Sequence, residues 1–150
     1  MIVGIIDYGS GNIKSVQKSF QKASQMKGSK EEVITVNSSI ELKNVDRIVL
    51  PGQGAFADCM GSLSKINNMI ETLNNCVINE KKPFLGICVG MQLIANESSE
   101  HGHTKGLSWV DGKVDKMEIE NHKLKLPHMG WNSITFKKNH PLFKNIRIDE

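Results

Sequence analysis

The sequence predicts an α/β fold, a mostly parallel sheet with helices on both faces. Three observations predict it. Short β-rich apolar runs recur at 2–6, 33–36, 47–50 and 83–87. Stretches with apolar residues three and four apart lie between them. Glycine-bearing turns follow several of the strands. Strands alternating with helices select a parallel sheet, because a parallel connection needs a crossover that a helix supplies.

Each element has a local reason. Ile2–Ile6 is a buried strand ending in the turn Asp7-Tyr8-Gly9-Ser10-Gly11-Asn12. From Asn12 to Met26, the residues Ile13, Val16, Phe20 and Ala23 fall on one helical face, and Gly28 is the expected stop. Val33–Val36 is the second strand. Arg47–Leu50 is the third, expected to break at Pro51-Gly52. Leu63, Ile66, Met69, Ile70, Leu73, Val77 and Ile78 mark a second helix. Pro83–Ile87 is the fourth strand, and a third helix starts over Val89 to Asn96. After Gly106 the pattern loosens. Trp109–Ile119 and Leu124–Phe136 read as shorter strands packed at an edge, antiparallel in expectation, and His140-Pro141-Leu142-Phe143 begins a turn or short helix.

Composition narrows the class. The 150 residues are 39% hydrophobic and 23% charged, which is globular and enough for one domain over 1–150. The net charge of +3 is too small to imply nucleic-acid binding, which needs a basic stripe. The apolar runs fall far short of the ~20 residues that cross a bilayer. The first residues carry no basic segment of a signal peptide, so a cytoplasmic location is the expectation. Cys59, Cys76 and Cys88 are too few and too widely spaced for a disulfide framework or a paired-ligand zinc site. Cys59 and Cys76 read as reduced, buried thiols.

Cys88 reads differently. Gly86-Ile87-Cys88-Val89-Gly90 spans a strand-to-helix junction as Gly-x-Cys-x-Gly, the nucleophile elbow with cysteine for serine. The turn is tight enough to require small residues two before and two after the nucleophile. It lifts the thiol above the strand end and onto a helix N-terminus, which favours thiolate. The Val89 N–H then serves as half of an oxyanion hole. A second glycine-rich loop, Pro51-Gly52-Gln53-Gly54, follows the third strand at the same carboxyl edge, where ligands bind in such sheets. By itself it is also an ordinary turn.

Together these residues resemble the triad-type class I glutamine amidotransferases, whose sheet is flavodoxin-like. The matching segments are Ile6–Asn12, Leu50–Phe56, Gly86–Leu93 and Leu126-Pro127-His128-Met129-Gly130-Trp131-Asn132. The first and last are particular to the glutaminase subunits of imidazole glycerol phosphate synthases, in histidine biosynthesis. The resemblance implies that Cys88 attacks the carboxamide of L-glutamine and that ammonia passes to a cyclase subunit in a heterodimer. It implies oxyanion-hole amides at Gln53 and Val89, with Gln53 standing where the family usually has valine. It implies glutamine-binding positions at Gly52, Gln92 and Glu100, and a cyclase-facing surface at Asn12, Met129 and Trp131. It implies no metal, organic cofactor, nucleic acid or membrane.

The residues alone leave several of these open. Gln92 also fits a solvated helix position, and Glu97 carries the same charge as Glu100. The stretch Glu97–His103 reads as an exposed loop, with His101 and His103 as loop residues. Trp131 reads as core in an unknown domain. The family's catalytic His-Pro-Glu segment has no match: His140-Pro141 is followed by Leu142. His128 is the best of the five histidines for a substitute base. The expectation is therefore an amidotransferase domain incomplete at its C-terminus and poorly active alone. A non-catalytic cyclase-binding module and a paralogue serving another pathway are the alternatives.

Overall fold

The computed structural model describes residues 1–118, 126–127, 129–138 and 140–144. The chain divides into two compact units, Met1–Lys116 and Met117–Glu150, each described by itself.

In the first unit, β1 (Ile2–Ile6), β2 (Glu32–Val36), β3 (Arg47–Gly52) and β4 (Phe84–Cys88) form a parallel sheet in the order β2-β1-β3-β4. Alternation along the strands sends Val3, Ile5 and Val49 to one face, where α1 (Ile13–Lys27) supplies Ile13, Val16 and Phe20. It sends Ile6, Ile48 and Leu50 to the other. There α2 (Ser39–Lys43), α3 (Phe56–Ser64), α4 (Met69–Asn74) and α5 (Val89–Gln92) bury Leu42, Phe56, Leu63, Met69, Leu73 and Val89. Helices thus lie on both faces, as the sequence predicts.

The boundaries of α1 follow from its caps. Asn12 Oδ1 accepts from Ser15 N at 3.2 Å, and Gly28 takes the left-handed conformation. The Gly28 and Ser29 amides then close on Gln25 and Ser24. The helix α2 was not expected. Ser38 Oγ accepts from Glu41 N, and the Glu41 carboxylate reaches back to Asn37 N at 2.9 Å. That is a variant of the capping box, which holds so short a helix.

Three expectations for these strands and helices need correction. The third strand does not break at Pro51-Gly52 but runs through both, pairing Pro51 with Ile87 and Gly52 with Cys88. The second helix starts earlier, at Phe56, and is interrupted at Asn68, which holds φ 55°. Asparagine is one of the few residues that tolerates this conformation. The helix then widens into a π turn over Asn75–Asn79, with Glu80 N bonded to Asn75 O. The third helix stops at Gln92, because the backbone oxygens of Leu93, Ile94, Ala95 and Asn96 accept from the Gly106–Val110 segment instead of continuing a helix.

The Glu97–His103 stretch is not wholly a loop. Here β5 (Glu97–Ser98) pairs antiparallel with β6 (Thr104–Lys105) and parallel with β7 (Lys113–Val114). Of the strand expected over Trp109–Ile119, only β7 forms among the described residues. Trp109 packs edge-on against Phe84 and donates to Asn74 Oδ1 at 2.6 Å.

In the second unit no strand forms among the described residues of Leu124–Phe136, contrary to expectation. Pro141–Phe143 is a single 3₁₀ turn, and Phe143 stacks on Phe136 with ring centres 4.4 Å apart. Ile119, Leu124 and His128 lie outside the described residues.

Candidate active site

The junction of β4 and α5 is closed by backbone packing. Cys88 holds φ 55° and ψ −120°, a strained conformation for a residue with a side chain. Its thiol is exposed, whereas Cys59 and Cys76 are free and buried, as read from the sequence. The flanking glycines are required by space. A Cβ on Gly86 would lie 2.5 Å from Met91 Cα and 2.6 Å from Gly90 O. A Cβ on Gly90 would overlap the Leu50 carbonyl, and one on Gly52 would lie 2.5 Å from Gly90 N. Real Cβ atoms do not approach backbone so closely, so the elbow and β3 interlock only without these side chains. With four residues, α5 offers the thiol the N–H groups of its first turn rather than the aligned dipoles of a long helix.

The loop after β3 lies beside the elbow, since Gly52 is the register partner of Cys88. It is held by side chains. Tyr8 OH donates to Pro51 O at 2.7 Å in a buried bond. Ser10 Oγ donates to Gln53 O at 2.7 Å and accepts from Gln53 N at 3.1 Å. Cys59 Sγ stands 3.3 Å from Ser10 Oγ and 3.4 Å from Gln53 O. Burial, reinforced by the neighbouring Cys59 thiol, raises the Tyr8 phenol far above its ordinary value. Burial likewise raises the Cys76 thiol.

Glu100 reaches the same loop from the small sheet. Its Oε2 accepts from Phe56 N, the first residue of α3, at 3.0 Å, and its own N donates to buried Ser98 Oγ. Glu97 is instead engaged by His103 Nε2 at 2.7 Å. Charge alone left the two glutamates equivalent; the fold takes only Glu100 to the loop. Among the described residues no three of His, Cys, Asp or Glu converge as metal ligands would.

Cys88, Val89, Gly52, Gln53 and Glu100 therefore lie along one connected edge of the first unit. The Gln53 amide is not open toward the thiol, because Ser10 accepts its proton. Gln92 is half-buried at the end of α5. Asn12 is exposed and caps α1. In the second unit Met129 is 86% and Trp131 102% exposed, which corrects the core reading of Trp131. Sequence reasoning missed Tyr8 and Ser10 as partners of the loop. They lie 43 residues from the groups they bind, and no local pattern signals such a contact.

The model of the glutamine amidotransferase class-I family matches residues 4–149. The chain belongs to the class I glutamine amidotransferases. Its similarity to individual amidotransferases is as extensive. It is 45% identical over 147 residues to the imidazole glycerol phosphate synthase subunit HisH of Pelagibacter ubique, covering 98% of this chain and 69% of that one. It is 42% identical over 148 residues to the protein of the same name from Rhodopseudomonas palustris, covering 99% and 68%. The corresponding Rhizobium meliloti protein is 43% identical over 150 residues, covering 100% and 69%. Among the described residues of this amidotransferase, no helix is long and apolar enough to cross a membrane.

Proposed function

We propose that this amidotransferase is the glutamine-hydrolysing subunit of an imidazole glycerol phosphate synthase, acting in the cytoplasm. Its similarity at 41–45% identity to relatives bearing that name supports the pathway. The observation that carries the chemistry is the exposed, strained Cys88 between two glycines that cannot be replaced without collision.

In this reading the Cys88 thiolate attacks the side-chain carboxamide carbon of glutamine. A C–S bond forms, and the carbonyl oxygen takes the negative charge, received by the Val89 and Gln53 amides. The tetrahedral adduct collapses, the C–N bond breaks, and ammonia leaves with a proton from a general acid. Water then cleaves the thioester to glutamate. Gly52 presents its backbone to the substrate beside the thiol, Gln92 contacts it, and the Glu100 carboxylate pairs with its α-ammonium. Ammonia passes to the cyclase subunit; Asn12 in the first unit and, separately, Met129 and Trp131 in the second are the residues assigned to meet it. Exposure of the two large apolar side chains supports that assignment.

The test is covalent. A chloroketone analogue of glutamine, added to the protein, is expected to alkylate Cys88 and spare buried Cys59 and Cys76. L-Glutamine should slow the labelling. Labelling that glutamine does not slow overturns the reading.

A further inference from the structure

We propose that Ser10 is a positioning residue for the oxyanion-binding amide: its hydroxyl holds the Gln53 N–H away from the thiol and releases it as negative charge develops. The proposal rests on the reading that Cys88 forms a thioester and that the Gln53 amide receives the oxyanion.

A serine hydroxyl has one proton and two lone pairs. Ser10 spends both kinds of capacity on one residue. Its proton goes to Gln53 O at 2.7 Å and a lone pair takes the Gln53 N–H at 3.1 Å. The Cys59 thiol, a weak donor, closes the cluster from α3. The base of the loop is pinned separately, by Tyr8 OH on Pro51 O. Between that pin and α3 lies Gly54, with φ +97° and no atom within 4 Å of where a Cβ would stand. Gly52, on the other side, packs against Gly90 and Val89, so the loop is fixed at its base while the Gln53 N–H itself is held by an exchangeable hydrogen bond.

An N–H well aligned with Ser10 is withheld from an oxygen beside Cys88. A hydrogen bond to an anionic oxygen is roughly twice as strong as one to a neutral hydroxyl. The oxyanion therefore competes for the amide better than the neutral carboxamide does. This is a bond made in the transition state and not in the ground state. Ser10 sets the threshold for that exchange.

The test compares two electrophiles on the full chain. Glutarate semialdehyde, the des-amino aldehyde analogue of glutamine, adds reversibly to Cys88 and generates an oxyanion. Iodoacetamide displaces iodide at a saturated carbon and generates none. Ser10→Ala is expected to bind the aldehyde about three- to tenfold more tightly, the range for removing one competing neutral hydrogen bond. Its iodoacetamide rate at Cys88 should stay at the wild-type value, and Ser10→Thr, which keeps the hydroxyl, should restore wild-type aldehyde affinity. Unchanged or weaker aldehyde binding in Ser10→Ala overturns the proposal, as does a Ser10→Thr variant that behaves like Ser10→Ala. Equal changes toward both electrophiles also overturn it, since they indicate a general loosening of the site. Amide hydrogen exchange in the wild-type protein needs no variant. The Gln53 N–H is expected to exchange at least about tenfold more slowly than an unstructured amide, and unprotected exchange overturns the clamp. Wild-type protein that binds no aldehyde through Cys88 overturns the thioester reading and this proposal with it. Failure of Ser10→Ala alone leaves that reading standing.

Discussion

The two strand ends that meet at the candidate site are held in different ways. The elbow after β4 is fixed by exclusion: at Gly86 and Gly90, backbone stands where a Cβ would be. The loop after β3 is fixed by attraction, through the hydroxyls of Tyr8 and Ser10. A nucleophile gains from a rigid mount, because small displacements of reacting atoms are costly in rate. An amide that must accept charge only during reaction gains from restraints that can be exchanged. Substitutions should therefore be severe and steric at the elbow, and graded and chemical at the loop.

The largest expected effect is at the thiol. Cys88→Ala should lower alkylation by the chloroketone analogue of glutamine by a factor of about 10² or more, because the remaining thiols, Cys59 and Cys76, are buried. A loss below about tenfold would break the assignment of Cys88. Next is Gly90→Ala. The added methyl meets the Leu50 carbonyl in the parallel sheet, which has no slack. A loss of about 3 kcal/mol in urea unfolding is expected, the upper end for overpacking. Retained stability would mean that β3 and β4 can separate, and the contrast with the loop would fail.

At the loop, Tyr8→Phe removes the hydroxyl that donates to the Pro51 carbonyl and leaves that carbonyl buried. A loss of about 1–2 kcal/mol is expected. The pH dependence has a definite sign. The folded-state value of this phenol is raised, so its contribution is complete below the unfolded value of about 10. It is lost as pH rises from there through the higher folded value, because the unfolded chain then releases a proton that the folded chain retains. The stability gap between wild type and Tyr8→Phe should thus narrow above about pH 10. Tyr8 is the only tyrosine, so phenolate absorbance reports it directly. Phenolate appearing at the ordinary value in folded protein would show that the loop's anchor is not buried.

The elbow was legible in the sequence because its requirements are local. Gly86, Cys88 and Gly90 lie within one turn, and each glycine marks a place without room. The four strands were legible because apolar runs record burial on both faces. The short helix α2 carried a local signal in Ser38 and Glu41, but its five residues show no apolar period. The end of α5 was not legible, because the groups that replace its helical bonds arrive from Gly106–Val110. The Ser10–Gln53 clamp was hidden for the same reason. Glu100 shows how far charge carries an inference: it supplied two candidates, and only the Phe56 amide distinguishes them.

The smallest predicted effect tests whether glycine itself, or the space around it, makes the elbow rigid. Gly61 lies inside α3, exposed, in helical conformation and with nothing within 4 Å of where a Cβ would stand. Alanine there meets no atom and reduces the freedom of the unfolded chain. Gly61→Ala should therefore raise stability by about 0.5–1 kcal/mol, measured by the same urea unfolding as Gly90→Ala. The same change then has opposite signs at the two glycines, because only one of them faces backbone. A loss at Gly61 would show that this side of α3 is covered rather than open to solvent. A gain at both positions would show that the close approach of Gly90 to Leu50 is not a feature of the folded protein.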